Sequence, residues 1–566
     1  MNKLLLFFSI ITITFSFTSA GAQTDITSVK TAQSYISNKD WTKAIDAYKI
    51  LIGKDKYNGA FLTNLASAYY NNKNYPEAIK TYEAAIKLGF QSDISAYNIA
   101  CSYALTGDAE NAVKWLKSAA KFKFRNLDEK IREDSDFDKI RNDEKFKIYM
   151  AHTVDKSSSR TEVWKADINF LKERMEQTHY NIYEALTKEQ WDKEFSELLD
   201  NIDNLDDEHI NTELSKIIAS VGDGHTILFP TPKTGGRQEE YKIKFYKFKD
   251  GLYIKGITKD YAQYNGMKVT KIGKYKTEDA LKKISEIIPH DNELGIDWLT
   301  PNYLMNNDYL YGLGINDSKD VLKLELEDNA GKKNTAEIKK SVSDFNASFH
   351  GQKNDDYVYA NESSSAPLPL YLKRGNEMFW FEHLTDVNFV YMQVNGIQNK
   401  DNEKMKDFYN KVFRFIDSNN VEGIIIDLRL NSGGNNGLNK FLINNFIRYD
   451  KINKKGKVFT IIGRNTFSAA MNLVGELENS TQTIFIGEPT GSRPNFTGEI
   501  NFIELPNTGI KVSASSLYWQ KSVSSDKRKW VFPEVYTPLS FSDYKNNIDP
   551  AMNAVYEYIE YLKKAQ

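Results

Sequence analysis

The sequence predicts a multidomain α/β protein: an N-terminal α-solenoid, a helical block, a β-rich domain, and a C-terminal α/β core with a mainly parallel sheet. Three observations carry this. Residues 26 to about 127 repeat with a period of 34. Residues 240–345 are rich in strand-like stretches. From Asn388 onward, apolar runs of strand length alternate with amphipathic helical stretches. Returning to the same edge of a sheet needs a crossover helix, so this alternation implies parallel strands.

Residues 1–22 read as a signal peptide. Lys3 supplies the positive start, Leu4–Phe17 the apolar stretch, and Ala20-Gly21-Ala22 a small-residue cleavage site before Gln23. The mature chain is therefore expected to be exported, to the periplasm or beyond. The apolar stretch is short for a membrane span, and no later run reaches the roughly 18 residues that one requires. A lone cysteine, Cys101, leaves no internal disulfide to form. The formal net charge of -2 gives no reason to expect nucleic acid or an anionic membrane as partner.

In residues 26–150, Ala32, Ala66 and Ala100 are equally spaced, as are Tyr35, Tyr69 and Tyr103, and Ala44, Ala78 and Ala112. Small residues at fixed repeat positions let neighbouring helices approach closely, and the pattern resembles tetratricopeptide repeats. Phe137, Ile140, Phe146 and Tyr149 suit a capping helix. The resemblance implies a surface for a protein partner or a positioning module; a plain structural prop is the alternative.

After the polar linker Asp155–Arg160, residues 160–230 form a helical block. Trp164, Ile168, Leu171 and Met175 share one helix face, and Trp191–Ile202 is a second amphipathic stretch. The block leads into Val221-Gly222-Asp223-Gly224-His225-Thr226. Its expected task is to hold His225 against the core. Residues 235–345 are predicted as the β-rich domain, with strands at Tyr241–Phe248, Leu252–Ile257, Met267–Ile272 and Val321–Leu326 and a helix at Thr277–Ile288; Pro301–Leu313 reads as an insertion. Residues 346–385 are read as irregular.

The core, residues 370–566, has strands at Asn388–Val394, Val421–Leu428, Val458–Ile462 and Thr483–Ile486. Helices are expected at Glu403–Ile416, Leu438–Ile447 and Ala469–Leu477, with a last one from Asp549 to Leu562. Gly433-Gly434 and Ser468 both follow strand carboxyl ends, where ligands bind in such sheets. A serine at a helix start has free N–H groups and partial positive charge beside it, which favour a developing oxyanion. Ala469 and either Gly433 or Gly434 are the candidate donors. The plainer alternative makes Ser468 a helix cap and the glycines a turn.

These residues are similar to the tail-specific (C-terminal processing) and tricorn-core serine protease family. The resemblance rests on Asp427-Leu428-Arg429-x-Asn431-x-Gly433-Gly434, on Phe467-Ser468-Ala469-Ala470, on Ile486-Gly487-Glu488-Pro489-Thr490-Gly491, and on the Asp223–Thr226 element. It implies a ClpP/crotonase-like core, a PDZ-like β-rich domain, and hydrolysis of a peptide or protein substrate without a cofactor. Pro489 stands where the Ser–Lys branch has its lysine, so the resemblance implies the tricorn-like branch: Ser468 as nucleophile, His225 as general base. Its third member precedes a Val-x-Pro-Asp-like segment, here Val531-Phe532-Pro533-Glu534, and Asp526 is the nearest match, with Glu499 and Glu488 as rivals.

No metal is implied, since there is no His-Glu-x-x-His, cysteine pair or spaced carboxylate loop. The glycine pair lacks the Lys-Ser/Thr of a phosphate loop. A non-catalytic peptide- or lipid-binding protein that keeps the protease fold is the alternative function.

Overall fold

The computed structural model describes residues 20–150, 154, 157–229, 238–343 and 356–565. Nearly all of the expected signal peptide lies outside the described residues; Ala20 opens the first described helix. No described helix is long and apolar enough to cross a membrane. The chain divides into two compact units, Met1–His152 and Thr153–Gln566.

The first unit is a stack of antiparallel helices, among them Trp41–Lys54, Gly59–Asn71, Tyr75–Lys87, Ser92–Thr106 and Ala109–Lys121. Asp40, Asn58 and Asp108 cap three of them, each side chain accepting a backbone N–H three residues on. The repeat alanines Ala32, Ala44, Ala66, Ala78, Ala100 and Ala112 are all completely buried. Their methyl groups set how closely adjacent helices pack. Phe137, Ile140, Phe146 and Tyr149 close the end of this core, but not from a single capping helix: Phe137 lies in the short helix Ser135–Phe137, Ile140 in a turn, and Phe146 and Tyr149 in the helix Glu144–Met150.

In the second unit, helices Arg160–Thr178, Lys188–Asn201 and Asp207–Ala219 form the expected helical block. Trp164, Ile168, Leu171 and Met175 face its core together with Trp191. That core includes Ile503, Leu505, Ile510, Val512 and Ala514 from the antiparallel hairpin Asn495–Glu504 and Lys511–Gln520. The hairpin takes up Ile227–Phe229 as a third strand, which anchors the chain just after His225. The sequence reading has no strands here, because the hairpin mixes polar and apolar residues on both faces.

The β-rich segment pairs in the order Gln238–Tyr241, Lys333–Ser343, Val321–Glu327, Lys268–Ile272, Gly251–Thr258, Ile243–Phe248. Its first and last members are one stretch of chain broken only at Lys242. The expected insertion at Pro301–Leu313 is helical, within Glu293–Tyr303 and Asn307–Gly312. It contributes Leu304, Met305, Tyr309 and Leu310 to the core of this segment, so it is part of the packing.

The core sheet runs Phe379–Leu384, Phe389–Val394, Gly423–Asp427, Val458–Ile462, Ile484–Gly487, Val535–Tyr536. All neighbours are parallel except the first pair. Helices Met405–Ser418, Lys440–Arg448 and Ala469–Ser480 cover one face and Pro550–Ala565 the other. Phe379–Leu384 corrects the irregular reading of residues 346–385; of that stretch, residues 346–355 lie outside the described residues. The strand is an antiparallel edge, and its apolar residues do not alternate, so periodicity alone did not mark it.

Candidate active site

The strand Val458–Ile462 ends at Gly463, and the next residues turn sharply into helix Ala469–Ser480. Thr466 ties the turn: its hydroxyl donates to the Leu428 carbonyl at 3.0 Å and accepts the Gly463 N–H at 3.0 Å. Ser468 precedes the helix at φ 53, ψ −126 and makes no capping hydrogen bond with its side chain. The cap alternative therefore falls. A non-glycine residue held there costs of order 1–3 kcal/mol. The Ser468 Oγ lies 2.9 Å from Nε2 of His225.

His225 sits in the turn after helix Asp207–Ala219. Its N–H donates to Asp223 Oδ1 at 2.7 Å, and its carbonyl accepts the Ser513 hydroxyl at 2.7 Å. The imidazole stacks on Phe467, with centroids 4.4 Å apart, and on Phe496 at 5.6 Å with the rings nearly parallel. Its Nδ1 is buried and has no hydrogen-bond partner among the described residues.

Asp223 is the electrostatic anchor of this turn. Besides the His225 N–H, it accepts Thr226 N–H at 2.9 Å, Thr226 Oγ1 at 2.7 Å and Ser515 Oγ at 2.8 Å. Nε2 of His179 lies 2.6 Å from its other oxygen, and His179 Nδ1 accepts the Asn181 N–H. With Nδ1 an acceptor, His179 carries its proton on Nε2 and donates it to Asp223. Burial pushes the Asp223 carboxyl up, but the His179 hydrogen bond, the electrostatic interaction with the His179 and His225 rings, and the Thr226 hydroxyl outweigh it and hold it at about 2. A second buried carboxyl, Asp291, accepts the Gly224 N–H at 2.8 Å and the Ser492 hydroxyl, and burial raises it.

The carboxylate expected to orient His225 is engaged elsewhere. Asp526 accepts from the Arg528 guanidinium at 2.8–3.1 Å and makes no hydrogen bond to His225. A guanidinium two residues away offers a fork of donors that a single imidazole N–H does not match. Glu488 pairs with Arg464 at 3.2 Å. Glu499 has φ 60 where the hairpin register skips it, next to Gly498, and its carbonyl accepts the Ser516 hydroxyl.

The glycine loop meets Ser468 from the neighbouring strand. Arg429 joins Asp427 to Asp549 at the strand end, and buried Asn431 donates to the Val394 carbonyl at 2.9 Å. Asn431 Oδ1 also accepts the Gly433 N–H at 2.9 Å. Gly433 is thus removed as an expected oxyanion donor. The N–H groups of Gly434 and Ala469 donate no hydrogen bond among the described residues. Gly433, at φ 119, has no room for a side chain: a Cβ there would lie 2.6 Å from Ser468 Cβ and 3.1 Å from the Ala469 nitrogen. Beside the loop opens a cavity of about 1070 Å³, walled in part by Gly434, Tyr246, Trp298 and Arg464.

The structure therefore brings together Ser468, His225, Gly434 and Ala469, and leaves Asp526 apart. Sequence reasoning missed His179, Asp291, Phe496 and the anchoring task of Asp223. Asp223 was visible in the motif; nothing in the spacing of His179 or Asp291 linked them to it.

A family model for the tetratricopeptide repeat matches residues 29–93 and 63–125. No curated protein matches the chain in sequence. Among solved structures, mature CPAF complexed with lactacystin is similar with a TM-score of 0.50 and 14% identity, over 72% of this chain and 98% of that one. Mature CPAF alone gives a TM-score of 0.50 and 13% identity, over 71% and 97%. The photosystem II D1 C-terminal processing protease aligns at 11% identity over 68% of this chain and 94% of its own, but its TM-score of 0.34 is too low to bear on the fold. The N-terminal unit is a stack of tetratricopeptide repeats, and the chain beyond it shares its fold with CPAF.

Proposed function

We propose that this protein is a serine peptidase in which Ser468 is the nucleophile and His225 the general base. The observation that carries the reading is the 2.9 Å approach of Ser468 Oγ to His225 Nε2, next to the free N–H groups of Ala469 and Gly434. With the imidazole proton on Nδ1, Nε2 takes the hydroxyl proton as Oγ attacks a peptide carbonyl. The two amides then hold the oxyanion. Collapse of the tetrahedral intermediate breaks the C–N bond, and His225 returns the proton to the departing amine. Water, deprotonated by the same imidazole, releases the acyl group from Ser468.

His225 in this reading is oriented by Phe467 and Phe496 and by its backbone, not by a carboxylate on Nδ1. The carboxyls of Asp223 and Asp291 fix the turn that carries His225 by accepting the His225 and Gly224 N–H groups. The β-rich segment, whose strand order begins and ends on one stretch of chain, is read as PDZ-like, and the parallel core as ClpP/crotonase-like. Residues 1–22 are read as an export signal.

The test is labelling of the full-length protein with a fluorophosphonate probe, together with cleavage of an unbiased peptide library. The expected result is labelling and cleavage that both vanish in Ser468→Ala and His225→Ala. A folded wild-type sample that neither labels nor cleaves would favour the binding-protein alternative.

A further inference from the structure

The cavity beside Gly433-Gly434 holds an ion that the fold leaves unmatched. Its carboxylates are already engaged: Asp297 by Lys247 at 2.5 Å, Glu488 by Arg464 at 3.2 Å, Glu377 by Arg374 at 3.3 Å, Asp549 by Arg429 at 2.8 Å, and Glu362 by the Tyr359 N–H at 3.1 Å. Lys255 on the same wall has no carboxylate within ion-pair reach among the described residues. Its ammonium lies only over the rings of Tyr246 and Tyr544, at 5.1 and 5.2 Å. Lys244 lines the wall as well, with its ammonium 3.2 Å from the Tyr359 hydroxyl. Burial, together with the charges of Lys244 and Arg464, pulls Lys255 down to about 8. A partly buried cation among cations and phenol rings is costly until an anion joins it.

We infer that this cavity is a specificity subsite whose Lys255 takes the side-chain carboxylate of an aspartate or glutamate in the peptide substrate. The inference rests on the peptidase reading, because it is the closeness of Gly433 to Ser468 that makes the cavity a neighbour of the scissile bond. Gly433 and Gly434 wall this space and Gly433 abuts Ser468, so a peptide whose carbonyl sits on the Gly434 and Ala469 amides has the cavity beside it. The cavity volume of about 1070 Å³ admits several residues. The aromatic wall packs against the methylene groups of the entering side chain, and the ammonium supplies a charge-assisted hydrogen bond at its end.

The experiment separates this inference from the chemistry. Binding of fluorescent peptides to full-length Ser468→Ala is measured by anisotropy, comparing sequences that differ only in Asp against Asn or Glu against Gln. Each peptide is made with a free and with an amidated C-terminus. The expected result is roughly tenfold or tighter binding of the acidic member. That ratio falls to near one in Lys255→Met, survives in Lys255→Arg, and inverts towards lysine-containing peptides in Lys255→Glu. Equal binding of acid and amide would overturn the inference, as would a preference that persists in Lys255→Met or that follows only the free C-terminus. Since the readout needs no turnover, failure of the peptidase reading appears separately, as absence of cleavage and labelling in the wild type.

Discussion

Oδ2 of Asp223 lies 2.6 Å from Nε2 of His179, and both residues are almost fully buried. The pair is the hinge between scaffold and chemistry. His179 ends the helix Arg160–Thr178, and Asp223 holds the backbone of the turn that carries His225. A carboxylate that accepts so many hydrogen bonds keeps its charge in a place where an isolated charge would be expelled.

Replacing Asp223 by asparagine leaves one oxygen to serve donors that now need two, and opposes an NH₂ group to donors of its own kind. The expected loss of stability is roughly 2–4 kcal/mol, measured by chemical denaturation. The wild type also carries a pH signature. The folded state holds this carboxyl at about 2, below its ordinary 3.8. This contribution is fully present above the unfolded value and is lost as pH falls through the folded one. Roughly 2 kcal/mol is at stake. Stability measured from pH 5 downwards should show that loss in the wild type and lack that share of it in Asp223→Asn.

The backbone of Ser468 predicts opposite effects on activity and stability. Ser468→Ala and Ser468→Gly should each lower peptide cleavage by at least about a thousandfold. Only glycine adopts the observed φ of 53 without strain. Ser468→Gly should therefore be more stable than Ser468→Ala by about 1 kcal/mol, after the extra freedom of glycine in the unfolded chain is deducted. Equal melting temperatures for the two variants would mean that the serine is not strained.

Gly433→Ala places a methyl group where Ser468 Cβ already lies 2.6 Å away. Ser468 must retreat from His225 or the loop must leave Asn431. Cleavage should drop about a hundredfold or more, with fluorophosphonate labelling slowed in proportion. Circular dichroism should remain unchanged, since the clash is local.

In the repeat unit, Ala66→Leu forces a larger side chain into a fully buried position. Overpacking of this kind costs about 1–3 kcal/mol. Thermal unfolding should show the destabilisation. The rate of Ser468 labelling should not change, because every residue of the candidate site lies in Thr153–Gln566.

What could be read directly from the chain follows from interactions that are local. The 34-residue recurrence of Ala32, Ala66 and Ala100 marks helix contacts within and between neighbouring repeats, so the stack was legible. Gly423–Asp427 and Val458–Ile462 are dominated by consecutive apolar residues because the strands are buried on both faces, and Ser468 falls at a helix start because Ala469–Ser480 has its own periodicity. The edge strand Phe379–Leu384 and the hairpin Asn495–Gln520 carry no such local signature.

The sequence by itself determined those strands and helices of the core whose apolar residues are consecutive or periodic, and that a serine and a glycine pair end neighbouring strands. Only the tertiary structure decided what those groups meet. The imidazole that reaches Ser468 comes from 243 positions away. The carboxylate nearest the expected pattern, Asp526, goes to Arg528 instead, while Asp223 is claimed by His179. Periodicity records which side of a helix or strand is apolar. It does not record which of several charges wins a given partner, because that outcome depends on distances and desolvation that exist only after the chain has folded.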